Sequence, residues 1–383
     1  AGIADVQLTQ DPAVGVYLDG VYLARSTGLA TEVADLKRIE VLRGPQGTLY
    51  GRNTTGGALN LVTARPDSSA TGVTLELGAG NRDRVHARAA VNLPVGDTSA
   101  IKVATVRNRL DGFIDNGGPG GDFGDRDARA YRLDWRWQPQ ALFTLDYAWD
   151  ASRIESYNYT PQAVVPGEPS GTPVDAAILS SRRFVPYGEK RFSRLSTTVP
   201  LRPNDTSIDG HALTLEWLLP DATVKSITAW RELSDSSYIE FASGASPEYR
   251  VDFHAITLGT QSGEPMSFDT TRTELDQEQF SQEFQILGSA VGDSLQYTAG
   301  VYYWQENSTE SQSSNFSPPQ FSPFLDAWSV KADAKSLAAY GQATWRPNAL
   351  DQKLGFTLGL RYTQDEREAT KLYIRTDLAG APP

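Results

Sequence analysis

Residues 131–150 read YRLDWRWQPQALFTLDYAWD, and their hydrophobicity repeats with a period of two. In the first half, every second residue is aromatic or leucine, and the residues between are Arg132, Asp134 and Arg136. After a short polar link, the same alternation continues to Asp150. Because successive side chains of a β-strand point to opposite faces of a sheet, the pattern predicts two paired strands with one apolar and one polar face.

Segments with this alternation recur along most of the chain. The last clear one covers residues 353–362, and weaker ones cover residues 294–305 and 335–346. Residues 222–232 fit the pattern poorly. Between residues 72 and 365 we count about eleven segments of roughly ten residues each, the length that a tilted strand needs to cross a membrane.

The links between these segments alternate in length. Short links lie at Pro94–Thr98, Gln138–Gln140, Leu219–Ala222, Gly288–Asp293 and Pro347–Gln352. Long links lie at Asp111–Arg126, Ile154–Thr206, Ser234–Thr273 and Ser308–Ala334. Membrane barrels join antiparallel strands by short turns on one side and long loops on the other. Because hydrocarbon satisfies no backbone hydrogen-bonding group, strands that cross it must close into a barrel, and the sequence predicts an all-β membrane protein.

Tryptophans cluster near the ends of the segments, where a barrel carries its interfacial girdle of aromatic residues. The tryptophans that we assign to this girdle are Trp135, Trp137, Trp149, Trp217, Trp230, Trp304 and Trp345. The alternative is cross-strand packing in a soluble sheet, since aromatic pairs also stabilise sheets in water.

The composition argues against several classes of function. The 383 residues carry a formal net charge of -12, whereas nucleic-acid binding requires a basic face, so we expect no nucleic-acid partner. The chain has no cysteine and only 3 histidines, which disfavours disulfides, thiol nucleophiles and metal sites. No run of about 18 apolar residues predicts a transmembrane helix. Without a Ser/His/Asp set or a phosphate-binding loop, we expect neither a cofactor nor enzymatic activity.

The first 66 residues differ from the rest of the chain in composition and in the pattern of their apolar residues. Glycines and turn residues surround three short apolar runs, Val14–Leu18, Arg38–Leu42 and Ala58–Val62. Residues 32–36 suit one or two helical turns. We therefore predict a small mixed α/β unit at residues 1–66, followed by a strand-rich region at residues 67–383. Neither terminus carries a start or stop signal, so we expect an internal fragment of a longer chain.

An ordered motif lies within the first unit. Residues 35–63 read DLKRIEVLRGPQGTLYGRNTTGGALNLVT, and residues 14–22 read VGVYLDGVY. Gly44-Pro45 predicts a tight turn after a strand, and the later glycines permit positive φ or close backbone approach. The motif depends on Glu40, Arg43, Gly44, Pro45, Gly47, Tyr50, Gly51, Arg52, Gly56, Gly57 and Asn60. These two segments resemble the plug signature of TonB-dependent outer-membrane receptors, of the kind that take up siderophores.

The resemblance implies a fold, a location and partners. Receptors of this family are 22-stranded barrels with a plug in the lumen, so the chain would form the second half of a plug and a partial antiparallel barrel of about 11 strands. It would lie in the outer membrane of a Gram-negative bacterium, in contact with lipid and lipopolysaccharide. TonB and its inner-membrane complex would pull the plug to admit a scarce ligand, and we expect the segment that contacts TonB to lie outside this sequence.

The expected ligand is a ferric siderophore, with a carbohydrate, a cobalamin-like compound or an aromatic compound as alternatives. Basic candidates for binding it are Arg182, Arg183 and Arg191, which suit an anionic ligand or lipopolysaccharide phosphates. Aromatic candidates are Tyr157, Tyr159, Tyr187, Phe253 and Trp328. Such rings stack on a ligand or pack the loops against each other, and the sequence leaves both roles open.

Charged residues of the motif are expected to pair with the barrel wall. Arg38, Glu40, Arg43 and Arg52 would meet inward-facing groups such as Asp134, Glu216 or Glu283, and simple solvation is the alternative.

Two other classes of protein compete with this interpretation. A soluble all-β glycan-binding or glycan-cleaving protein would accommodate the loop aromatics and the many carboxylates, and it predicts two stacked sheets. It leaves the alternation of link lengths and the motif at residues 35–63 unexplained. A passive porin-like channel needs an open lumen, which the plug signature opposes.

Overall fold

A computed structural model describes residues 12–25, 33–158, 192–195, 201–240, 270–316, 324–347 and 353–377. Over these ranges the regular backbone consists of β-strands, isolated bridges and turns. No helix in the described part of the chain is long and apolar enough to cross a membrane.

The first four strands form a small sheet, which we call the plug unit together with its turns. The strands are β1 (Val14–Leu18), β2 (Val21–Leu23), β3 (Leu36–Arg43) and β4 (Gly57–Thr63), in the order β2-β1-β4-β3. Asp19 and Gly20, both with positive φ, form the two-residue turn that joins β1 to β2. Val16, Leu18 and Leu23 form a buried cluster beside β4.

The helical turn predicted near residues 32–36 is wrong for the described residues 33–36. Ala34 and Asp35 form a turn, and β3 begins at Leu36. Asp35 takes a positive φ of 64°, which a right-handed helix does not permit, and its carboxylate binds Arg88 of the strand Val85–Pro94. A tertiary contact therefore overrides the weak local preference for helix.

The remaining strands follow in chain order. They are β5 (Gly72–Ala79), β6 (Val85–Pro94), β7 (Ser99–Leu110), β8 (Asp115–Asn116), β9 (Arg126–Gln140), β10 (Phe143–Ser156), β11 (Arg194–Leu195), β12 (Asn204–Leu218), β13 (Ala222–Glu240), β14 (Thr270–Ala290), β15 (Leu295–Phe316), β16 (Phe324–Trp345) and β17 (Phe356–Asp377). All except β8 and β11, which pair with each other, form one antiparallel sheet of 11 strands in sequential order. We call this sheet the wall.

The two faces of the wall differ as the alternation predicts. On β9, Tyr131 is 50% exposed, whereas Arg132 is 2% exposed beneath the plug unit. Large apolar residues are exposed on the same outer face of other strands, among them Leu75, Phe284, Val301, Leu337 and Leu358. The two stacked sheets that the soluble alternative predicts are not what the described residues form, because one wall carries polar residues inward and apolar residues outward.

Several strands are longer than the sequence indicates. The predicted long link Ser308–Ala334 is wrong, because β15 and β16 remain paired as far as Phe316 and Phe324. Strand β13 likewise continues to Glu240. Its first part forms a strand even though its sequence fits the alternation poorly. A ladder is held by backbone hydrogen bonds, so a polar strand that emerges into water continues to pair without an apolar face.

Replacing Phe284 by arginine tests the outward orientation. An arginine near the middle of a lipid-facing strand costs about 2–4 kcal/mol of folding free energy, and the cost falls towards zero near the membrane surface. We expect Phe284→Arg in the full-length protein to lower stability in lipid vesicles by that amount, measured by urea unfolding. Glu278→Arg, which faces the same way closer to the long loops, is the control. A loss for Phe284→Arg no greater than for Glu278→Arg would contradict contact of Phe284 with the lipid core.

Candidate functional site

The plug unit packs against the inner face of the wall through aromatic rings. Tyr22 of β2 lies 6.3 Å from Trp304 of β15, measured between ring centroids, and the guanidinium carbon of Arg52 lies 4.5 Å from the centroid of the Trp304 ring. Trp304 is only 1% exposed. Its assignment to the interfacial girdle is therefore wrong. Trp304 shares its strand phase with Glu306, which also faces the plug unit, and opposes the phase of the exposed Val301.

Two tyrosines of the plug unit form hydrogen bonds with residues of the motif segment. The Tyr17 hydroxyl donates to the carbonyl oxygen of Tyr50 at 2.8 Å, and the Asn53 amide donates to the Tyr22 hydroxyl at 2.7 Å. Burial raises the pKa of Tyr17 well above its ordinary value, so its hydroxyl remains a donor at physiological pH. The turn that carries Tyr50 is thus anchored to β1 and β2.

A buried charge cluster joins the β1–β2 turn to the wall. Arg132 donates to both carboxylate oxygens of Asp134, at 2.7 and 2.8 Å, and to Asp19 of the plug unit at 2.8 Å. Asp19 also accepts from the backbone N–H and the hydroxyl of Thr63, at 2.9 and 2.8 Å. Burying these charges is favourable only because each is paired and hydrogen-bonded. The cluster therefore fixes the orientation of the plug unit relative to β9.

Further ion pairs cross the interface, and the plug unit supplies the acid in some of them and the base in another. Asp35 of the plug unit binds Arg88 of β6 at 2.7 Å and also contacts Lys102 of β7. In the opposite sense, Arg25 donates to both oxygens of Glu306 on β15, at 2.5 and 2.7 Å. The plug unit is therefore bound to widely separated parts of the wall by complementary charges.

Most of the motif charges do not pair with the wall as predicted. Arg38 binds Glu40 on its own strand at 2.6 Å, Asn60 donates to Glu40 at 2.8 Å, and Arg43 is exposed. The predicted wall acids have other partners: Asp134 binds Arg132, Glu216 binds Lys225, and Glu283 binds Tyr340. The hydrogen bonds from Asn60 and then Arg38 lower the pKa of Glu40. Of these motif charges, Arg52 contacts the wall at the Trp304 ring.

Two motif glycines occupy positions that a side chain would not fit. Gly57 has a φ of 146°, and an added Cβ would overlap the carbonyl oxygen of Leu42. Gly51 has a φ of 84°, and an added Cβ would lie 2.6 Å from the guanidinium of Arg361 on β17. Gly51 therefore allows the motif turn to approach the wall. The other motif positions, Gly44, Pro45, Gly47 and Gly56, lie in the turns between β3 and β4.

The ligand-binding candidates fall into three groups. Tyr157 packs against a buried loop cluster that contains Phe123 and Leu195, which supports a packing role. Trp328 lies on the inner face of β16, with the Lys371 ammonium 5.0 Å from its ring centroid and Tyr373 directly opposite on β17. The other candidates lie outside the described residues: Arg182, Arg183, Arg191, Tyr159, Tyr187 and Phe253.

Sequence reasoning missed residues that the structure brings together at the interface, chiefly Asp19, Arg25, Asp35 and Glu306. The alternation along its strand could have assigned Glu306 to the inner face. Nothing local in the sequence indicates which plug residue it pairs with. Within the described part of the chain, no group of three or more His, Cys, Asp or Glu residues is arranged to hold a metal ion.

Comparison with known proteins places the chain in a family. The model of the TonB-dependent receptor plug domain matches residues 3–58, and the model of the TonB-dependent receptor-like β-barrel matches residues 167–379. The chain therefore belongs to the TonB-dependent receptor family, a family of receptors and transporters and not of enzymes.

Individual relatives agree with this assignment. The chain is 25% identical to the pesticin receptor of Yersinia enterocolitica over 372 residues, which are 95% of this chain and 46% of that protein. The crystal structure of the ferric yersiniabactin uptake receptor from Yersinia pestis matches with a TM-score of 0.70 and 22% identity, covering 96% of this chain and 52% of that one. The ferripyoverdine receptor of Pseudomonas aeruginosa matches with a TM-score of 0.63 and 14% identity, over 95% and 47%. The chain thus spans about half the length of the relatives it matches.

Replacing Arg132 by methionine tests the buried charge cluster. The change leaves Asp134 buried without its hydrogen-bonded cation and leaves Asp19 with only the longer contact to Arg65, at 3.9 Å; breaking a buried pair typically costs about 3–5 kcal/mol. We expect that loss in the full-length protein, measured by chemical unfolding followed by tryptophan fluorescence. Arg38→Met removes the exposed pair on β3 and should leave stability unchanged within error. A loss no greater for Arg132→Met than for this control would show that the cluster does not anchor the plug unit.

Replacing Gly57 by alanine tests the strained start of β4. The positive φ and the overlap with Leu42 should destabilise the plug unit by about 1–3 kcal/mol. We expect faster proteolysis of the plug unit in the folded full-length protein. Gly47→Ala, at a position with open space around it, should behave as the native protein does. Native-like resistance of the Gly57→Ala protein would contradict the geometry of β4.

Proposed function

We propose that the whole protein is an energy-coupled receptor in the outer membrane of a Gram-negative bacterium, which imports a ferric siderophore when TonB and its inner-membrane complex pull on the plug. The observation that carries the proposal is the plug unit held on the inner face of the wall by buried, complementary ion pairs. A lumen occupied in this way requires a driven displacement before a ligand passes. Contact of the outer face with lipid and lipopolysaccharide belongs to the same proposal.

The names of similar proteins support the ligand class. Those proteins include a ferric yersiniabactin uptake receptor and a ferripyoverdine receptor. A vitamin B12 transporter of Vibrio cholerae is 29% identical over 126 residues, 32% of this chain and 20% of that protein, so a cobalamin-like ligand is retained as the second candidate. Carbohydrates and aromatic compounds remain further alternatives.

The inner face of the wall offers a surface suited to an anionic aromatic chelate. Trp328 and Tyr373 are direct neighbours across β16 and β17, and Lys371 lies over the Trp328 ring. This group lies nearer the long-loop end of the wall than Trp304, where the plug unit packs. Aromatic faces stack on planar ligand rings, and an ammonium group attracts a negatively charged ferric complex. The role of Arg182, Arg183 and Arg191 in attracting such a ligand stays part of the proposal.

The domain division into residues 1–66 and 67–383 is also a proposal. In support of it, the last strand of the plug unit ends at Thr63 and the first strand of the wall begins at Gly72.

Uptake of radiolabelled ferric siderophores by cells that carry the full-length gene tests the function. We expect accumulation in a host with TonB and loss of accumulation in a TonB-deficient host. Accumulation of ferric siderophore that persists without TonB would contradict energy coupling. TonB-dependent accumulation of cobalamin alone would show that the ligand is a cobalamin-like compound and not a ferric siderophore.

Substitutions in the wall test the binding surface. We expect Trp328→Ala and Lys371→Gln each to weaken ferric-siderophore binding by about tenfold, because each removes an interaction of about 1–2 kcal/mol. Binding is measured by titration of the purified full-length protein. Lys335→Gln is the matched control, since Lys335 lies on the same strand as Trp328 but faces outward. Unchanged affinity in both test variants would place the ligand elsewhere.

A further inference from the structure

Strand β2 forms one edge of the plug sheet, and the hydrogen-bonding groups on its free side point to the wall. Strand β1 pairs with one side of β2. On the other side, the backbone N–H of Ala24 donates to Gln279 Oε1 at 3.3 Å, and Gln279 Nε2 donates to the carbonyl oxygen of Tyr22 at 2.6 Å. Gln279 belongs to β14 and is only 3% exposed.

The amide of Gln279 takes the place of a neighbouring strand. In a parallel ladder, one residue of a strand accepts from the N–H after its partner residue and donates to the carbonyl before it. Gln279 makes the same two bonds around Leu23, from Ala24 and to Tyr22. A primary amide suits this role because it offers a donor and an acceptor side by side, whereas a carboxylate offers no donor. The free edge of β2 is therefore satisfied by a wall side chain.

Neighbouring contacts place β2 across three wall strands. Val21 packs against Ile227 of β13, and Arg25 binds Glu306 of β15. Between them, Gln277 Nε2 donates to Gln279 Oε1 at 3.3 Å, which orients the Gln279 amide. Gln279 thus lies at the centre of the contact between β2 and the wall.

We propose that Gln279 is a positioning residue that holds the β2 edge against the wall in the resting receptor, and that release of this edge is a step of plug displacement. The second clause rests on the proposed function. When the edge is released, its broken hydrogen bonds are replaced by bonds to water, so the net cost of release is small.

Hydrogen exchange of the full-length protein tests the positioning role without any ligand. Gln279→Leu removes both bonds, and Gln279→Glu keeps the size of the side chain but loses the donor to Tyr22. Loss of two typical hydrogen bonds should raise the exchange rate of the Ala24 amide about tenfold or more. The amides of β14 and β15 should exchange as in the native protein, because their own ladder is intact.

The matched control lies on the same strand. Gln282 faces outward, where its amide donates to Ser226 and accepts from Thr228. Gln282→Leu likewise removes two side-chain hydrogen bonds of β14, without touching the plug unit, and should leave the Ala24 exchange rate unchanged. Native exchange at Ala24 in Gln279→Leu would overturn the positioning role, and so would acceleration of equal size in both the Gln279→Leu and Gln282→Leu proteins.

A second readout tests release of the edge. In TonB-deficient cells, Gln279→Leu should admit a large antibiotic that the native receptor excludes, and Gln282→Leu should not. An intact barrier in Gln279→Leu, with faster exchange at Ala24, would overturn the role of edge release in displacement. Failure of the proposed function is distinguishable, because it removes TonB-dependent uptake in the native protein and leaves hydrogen exchange at Ala24 as it is.

Discussion

Hydrocarbon offers no partner for a backbone N–H or carbonyl group, and the architecture of the wall follows from this. Every strand that crosses the membrane must satisfy its backbone through its neighbours, which requires the long sequential antiparallel wall. With the backbone satisfied, alternate side chains are free to face lipid on one side and the lumen on the other. Large apolar residues such as Phe284, Val301 and Leu358 therefore face outward, and the inward residues are polar enough to receive a second, water-compatible unit.

Complementary charges determine the orientation of the plug unit on the wall. The plug unit contributes acids at Asp19 and Asp35 and a base at Arg25, and the wall contributes the opposite charges. Buried ion pairs seldom add much net stability, because desolvation offsets their attraction, but a mismatched pair is strongly unfavourable. The pairs therefore select one orientation of the plug unit. Aromatic contacts around Trp304 supply apolar burial that does not depend on such precise partners.

The fold of the wall was largely predictable from sequence, and the plug–wall contacts were not. Alternation on β9 and β10 is a local signal with a direct structural cause, and it assigned Arg132 and Tyr131 to opposite faces. The error at Trp304 came from using position along a strand where the phase of the alternation was the stronger signal. The partners Arg25 and Glu306 are 281 residues apart, and no local pattern connects them. The polar ends of β15 and β16 carried no alternation, so their pairing beyond Ser308 was invisible in the sequence.

Spin-label accessibility in lipid bilayers tests whether the wall has one lipid-facing and one lumen-facing surface. The chain has no native cysteine, so single cysteines in the full-length protein label cleanly. Labels at Ala339 and Ala343, on the outer face, should collide with oxygen dissolved in lipid and not with an aqueous nickel complex. Labels at Gln342 and Thr344, on the inner face of the same strand, should lack that preference for oxygen. Equal exposure of all four labels to the nickel complex would contradict a lipid-facing outer surface.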